Sequence, residues 1–113
     1  MFITSIDQIN TVVQRISTNE NFIVDIHTPS FSCNIGDKIN IDISENIQKT
    51  SMYTMIGYVY FTDNEKTCVS SGGLISVIPK KINTSTNKIY IHINKNNVRN
   101  RSKEENKSNK KKK

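Results

Sequence analysis

Two stretches of strict alternation limit what this chain can fold into. In residues 38–44, Ile39, Ile41 and Ile43 fall on one side, with Lys38, Asn40 and Asp42 on the other. Residues 88–94 repeat the pattern, with Ile89, Ile91 and Ile93 opposed to Tyr90 and His92. A period of two is the mark of a half-buried β-strand. No long segment carries the 3.6-residue period of an amphipathic helix, which argues against a βαβ architecture. Composition agrees: the 113 residues include 18 isoleucines, the single leucine Leu74 and no alanine. Such a chain lacks the best helix formers and is rich in a strand former.

Other segments read as strands with less regular patterns. Residues 11–17 form a candidate first strand, and residues 22–27 alternate until Pro29 ends them. Residues 31–35 read as a short strand before the turn at Gly36-Asp37. Residues 45–51 are polar and loop-like. Residues 53–61 form a long strand, and residues 63–66 close a hairpin to a strand at 67–70. Gly72-Gly73 then reads as a bulge or a sharp bend at a barrel corner, before residues 74–78 and the stop at Pro79. Residues 1–10 are weakly patterned; Ile3, Ile6 and Ile9 recur every three residues, as in a short helical turn or an ordered arm. Seven or eight short strands joined by turns indicate an all-β barrel or sandwich.

Length allows one domain. The net charge of +6 is unevenly placed: residues 95–113 carry nine basic and two acidic side chains, and residues 1–94 seven basic and eight acidic. The division is therefore a β domain at 1–94 and a Lys/Asn-rich tail at 95–113, too poor in apolar residues to offset its ordering entropy and so read as disordered. A nearly neutral body argues against a fold surface that tracks phosphates. Residues 1–7 lack the basic and apolar regions of a signal peptide, and no stretch approaches a membrane span.

Catalytic and metal chemistry find little support. Cys33 and Cys68 stand 35 residues apart without a CxxC pair, and His27 and His92 stand alone. A zinc site needs four closely spaced ligands, and two thiols of this kind suit a reducing compartment. Gly72-Gly73 lacks the spacing of a phosphate loop, and no serine sits in a GxSxG elbow. Asp25 and His27 share a strand face at i, i+2 and read as an exposed polar pair; His92 reads as an outward residue near a strand end. No catalytic, cofactor-binding or metal-binding residue is assigned.

The strands at 53–61 and 74–78 differ from the others in being apolar on both faces. Tyr53, Met55, Gly57, Val59 and Phe61 share one face of the first; Thr54, Ile56, Tyr58 and Tyr60 share the other. In the second, Leu74, Ser76 and Ile78 oppose Ile75 and Val77. One face serves the core, and a second apolar face marks a contact with another protein unless the chain covers it itself. Only residues 1–10 and 45–51 are free to do that. Alternation alone does not assign core and interface to the two faces; the candidate partner interface is Ile56, Tyr58, Tyr60, Gly72, Gly73, Ile75 and Val77.

Several blocks carry a family resemblance. Tyr53-x-Met55-x-Gly57-x-Val59-Tyr60, then Val69-Ser70-x-Gly72-Gly73-Leu74, then the closing strand from Lys88, resemble the eighth common subunit of eukaryotic nuclear RNA polymerases. Val13-x-Arg15-Ile16, Asn21-Phe22-x-Val24-Asp25-Ile26 and Gly36-Asp37-Lys38 are similar too, so the resemblance spans roughly residues 11–94. It implies an eight-stranded antiparallel barrel of OB-like type. It also implies a non-catalytic, nuclear role on the outside of the largest polymerase subunit, in an assembly shared by polymerases I, II and III. The chain departs from the family in its short loops at 45–51 and 80–87, in Ser71 where an aromatic commonly precedes the glycine pair, and in its basic tail.

A second function class is a free-standing OB-type protein that binds single-stranded nucleic acid. There Tyr58 and Tyr60 would stack bases and the tail would add weak, non-specific contact. The strand at 53–61 has no Lys or Arg, which weighs against it.

Overall fold

In the computed structural model, residues 1–47 and 50–95 are described. They form eight strands: β1 (Ile3–Gln8), β2 (Val13–Thr18), β3 (Ile23–His27), β4 (Ile39–Ser44), β5 (Tyr53–Thr62), β6 (Thr67–Ser71), β7 (Leu74–Ile78) and β8 (Lys88–Lys95). No helix occurs among the described residues. All pairings are antiparallel, in the order β1-β2-β3-β7-β6-β5-β8-β4. Apart from Lys95, the basic tail read as disordered lies outside the described residues.

The sheet curls into a half-barrel whose outermost strands touch at one end. Ile39 N donates to Met1 O at 2.9 Å and Ile3 N donates to Asp37 O at 3.0 Å, around a bridge between Phe2 and Lys38. β1 and β4, the two ends of the sheet order, thus meet only at the start of each, and the half-barrel stays open beyond that point.

Isoleucine fills the interior. Ile3, Ile16, Ile26, Ile39, Ile78, Ile89, Ile91 and Ile93 are fully buried, with Val24 and Val69 among them. Branched side chains pack well on a pleated surface, and each such burial contributes about 1.5–3 kcal/mol of transfer free energy. The alternation read in β4 and β8 is present: Ile41 lies opposite Ile93, and Ile43 opposite Ile91.

Three expectations are corrected. Residues 1–10 hold no helical turn, and they are more than an ordered arm, because β1 is a strand of the sheet paired with β2. Its register shifts between Ile3 and Ser5, so Ile3 and Ile6, three apart, both turn inward, opposite Thr18 and Ile16. Residues 31–35 form no strand. Phe31 and Cys33 are buried, and Phe31 stacks on Tyr53 with ring centroids 5.3 Å apart. Their alternation reflects side-chain burial without a ladder partner. Finally, Gly72 and Gly73 are neither a bulge nor a barrel corner. They are the two-residue turn between β6 and β7, with φ of +59° and +94°. Two consecutive positive φ angles suit a right-twisted hairpin and favour glycine.

Candidate protein interface on the outer face

β5 settles which of its two apolar faces is core. Tyr53, Met55 and Gly57 are buried, while Ile56, Tyr58 and Tyr60 on the opposite face are exposed at 49%, 57% and 59%. Gly57 is needed for this inner packing. A Cβ there would run into Val69 Cγ1 and lie 2.6 Å from Ser71 Oγ. In β7, Ser76 and Ile78 are buried, and Ile75 and Val77 are half-buried on the outside.

The β5–β6 register shifts between Val59 and Phe61. Tyr60 is the extra residue of a bulge, and Phe61 pairs with Cys68 on the outer face. Strict alternation placed Phe61 with Tyr53 and Met55; the structure turns it out, 46% exposed. The bulge therefore sets two consecutive aromatics, Tyr60 and Phe61, on one surface.

The ladders join these residues into a stripe. Tyr58 opposes Ser70, which opposes Ile75. Phe61 opposes Cys68, Cys68 opposes Val77, and Val77 opposes Ile23. On the other side Ile56 opposes Tyr90. The seven predicted interface residues thus fall together, Ile56, Tyr58, Tyr60, Ile75 and Val77 on this face and Gly72 and Gly73 at its turn; both glycines have open space where a Cβ would point. Phe61, Cys68, Ile23 and Tyr90 extend the stripe, and Phe61 and Cys68 meet there only through the bulged register.

Charged groups border it. Lys66 Nζ lies 5.8 Å from the Phe61 ring centroid, and Lys88 Nζ lies 5.6 Å from that of Tyr90, with Lys88 opposite Tyr58 on the ladder. Arg15 Nε donates to Asp25 Oδ1 at 2.7 Å and Nη2 to Oδ2 at 3.1 Å. Asp25 Oδ2 also accepts from Ile75 N at 2.9 Å, so its carboxylate closes the gap where the short β3–β7 ladder ends.

Asp25 is therefore no exposed partner of His27: it is 2% exposed. His27 Nδ1 instead lies 3.0 Å from Ser30 Oγ. His92 points outward yet is fully buried. Ser44 Oγ and Asn46 O lie 3.0 and 3.3 Å from its Nε2, and Thr54 Oγ1 lies 3.4 Å from Nδ1. The segment after β4 covers the outer face there, and the chain's described residues leave Ile56, Tyr58 and Tyr60 uncovered.

Both cysteines are free thiols. Burial pushes the Cys33 thiol up to about 11. Among the described residues no group of three or more His, Cys, Asp or Glu side chains could hold a metal ion. No protein-family model and no curated protein matches the chain.

Proposed function

We propose that the chain is a non-catalytic structural subunit of a DNA-directed RNA polymerase, docking on the largest subunit by the outer face of β5, β6 and β7. The observation that carries this reading is the outer stripe from the exposed Ile56, Tyr58, Tyr60 and Phe61 to the half-buried Ile75 and Val77. Aromatic residues on a contiguous exposed surface are the composition of interface cores, and stripes of this kind mark protein contacts.

The resemblance supports the choice of partner. Its three C-terminal blocks, apart in sequence, fall on β5, the β6–β7 hairpin and β8, which are neighbours in the sheet. The Gly57 of one block packs on Val69 of another. A single curled sheet of eight antiparallel strands is in keeping with the eight-stranded, OB-like barrel that the resemblance implies.

The test is copurification. Tyr60→Asp and Ile75→Asp each place a charge in the stripe. Each is expected to lower recovery of the largest subunit at least about tenfold, the equivalent of 1.4 kcal/mol, with an unchanged circular-dichroism spectrum. Undiminished recovery with both variants contradicts the proposal.

One observation favours the second reading, a binder of single-stranded nucleic acid: lysines stand over Phe61 and Tyr90. Stacking platforms flanked by cations are the chemistry of such sites. Residues 1–95 binding oligonucleotides in a salt-dependent manner, with loss in Tyr58→Ala, would favour it over subunit docking.

A further inference from the structure

β4 ends the sheet order and is paired along its length on one side, by β8. On the other side only its first residue is met: Ile39 N donates to Met1 O, and the Met1 ammonium donates to Ile39 O at 3.2 Å. In an antiparallel ladder, residues whose N–H and C=O point to a neighbouring strand alternate with residues whose groups point away. Ile39 fixes the phase. Ile41 and Ile43 follow it at steps of two with unbroken register, so their N–H and C=O also point away from β8. No hydrogen bond to Ile41 or Ile43 from outside the β4–β8 ladder occurs among the described residues.

This edge borders a cleft of about 340 Å³. Phe22, Ile82 and Ile89 line it with Ile41 and Ile43 as its apolar part, and Lys80 and Thr84 of the loop after β7 line it too. That loop is held in place. Thr67 Oγ1 donates to Lys80 O at 2.9 Å and accepts from Ile82 N at 3.0 Å, while Ser85 N and Oγ donate to Glu45 at 3.0 and 2.6 Å.

We propose that the β4 edge is a strand-addition site that takes an extended segment of a partner protein, antiparallel to β4 and in line with β1. The outward N–H and C=O of Ile41 and Ile43 offer ladder bonds to such a segment, and the apolar lining of the cleft receives an apolar side chain at alternate positions. A single added strand needs only about 4.7–4.9 Å beside β4, whereas a second copy would bring a whole sheet edge against the 80–85 loop, which shares the cleft and is tied to Glu45 just after β4. The chain's own residues after Lys95 are poorly suited. β8 ends opposite Ile39, at the occupied end of the edge, and Val98 is their one apolar residue. The site is separate from the β5–β7 stripe and does not depend on the polymerase reading.

The experiment is amide NMR of the full chain with a capped Thr-Ile-Thr-Ile-Thr-Ile-Thr peptide as probe, and the same peptide N-methylated at alternate residues as control. The expected result is shifting and slowed exchange of the Ile41 and Ile43 amides below about 1 mM peptide. Binding is expected to weaken at least about tenfold with the N-methylated control and in Ile43→Pro, which removes one outward N–H and no β8 ladder bond. Ile56 and Tyr58 amides should stay unmoved. No response of Ile41 and Ile43 at that concentration, or equal binding of the N-methylated peptide, overturns the proposal. Concentration-dependent shifts without peptide assign the edge to a second copy, and protection lost on truncation after Lys95 assigns it to the chain's own tail; either result also overturns it.

Discussion

Arg15 grips Asp25 through two hydrogen bonds, and the bond that Asp25 adds to Ile75 N makes this pair the clasp between β2, β3 and β7. The Asp25 side chain is 4% exposed and that of Arg15 39%. Removing the cation strands a buried carboxylate, which costs more than the pair's net contribution. Arg15→Ala is expected to destabilise the domain by about 2–3 kcal/mol. Asp25→Asn in the same background should recover part of that loss, since a neutral amide oxygen still accepts from Ile75. Urea unfolding of the two single variants and the double variant checks this; strictly additive losses contradict it.

Gly57 gives a sharper steric test. Gly57→Ala is expected to cost about 1–3 kcal/mol, because Val69 and Ser71 must move to admit the methyl group. Val69→Ala should relieve part of the strain. A Gly57→Ala domain as stable as the parent would show that β5 and β6 stand further apart.

Much of this fold is legible as period-two alternation, and the misses share one physical cause. Bulges at Thr4 and Tyr60 change the phase of a strand by one residue, which a strict alternation cannot register. That is why Ile3 and Ile6 resemble a helical spacing, and why alternation sets Phe61 on the face of Tyr53 and Met55. Ile56, Tyr58 and Tyr60 were readable as one face because they precede or occupy the bulge. Assigning that face to the outside required the rest of the sheet. The Arg15–Asp25 clasp depends on the β2–β3 register, and the burial of His92 on a segment 46 residues away, at Asn46. Neither leaves a local signal.

Glu45 links the segment after β4 to the 80–87 loop through Ser85, and those hydrogen bonds hold its carboxyl below the usual value. A group with a lowered folded-state value stabilises above its unfolded value and loses that effect as pH falls through the folded one. The tether should therefore persist through the ordinary carboxylate range and release below it. An NMR titration of the Ser85 amide is expected to show a midpoint below that of an ordinary glutamate, and Glu45→Gln should abolish the step. A midpoint at the ordinary value contradicts the tether.

Cys33 and Cys68 should separate by reactivity. Cys33 is buried with its thiol raised to about 11, whereas Cys68 is half-buried on the outer stripe. At pH 8, iodoacetamide is expected to label Cys68 well ahead of Cys33, with both labelled at similar rates in urea. Peptide mass spectrometry reads the ratio, and equal native rates contradict the burial of Cys33. Partner binding over the stripe should slow labelling of Cys68.

The central claim, docking of the β5–β7 face on a polymerase, is tested most directly by affinity purification of the tagged full chain from its own cell, with mass spectrometry of what is retained. The account predicts the largest polymerase subunit and its companions in stoichiometric recovery, and their loss with Tyr60→Asp. Recovery of no polymerase subunit, or retention unchanged by Tyr60→Asp and Ile75→Asp, would contradict it.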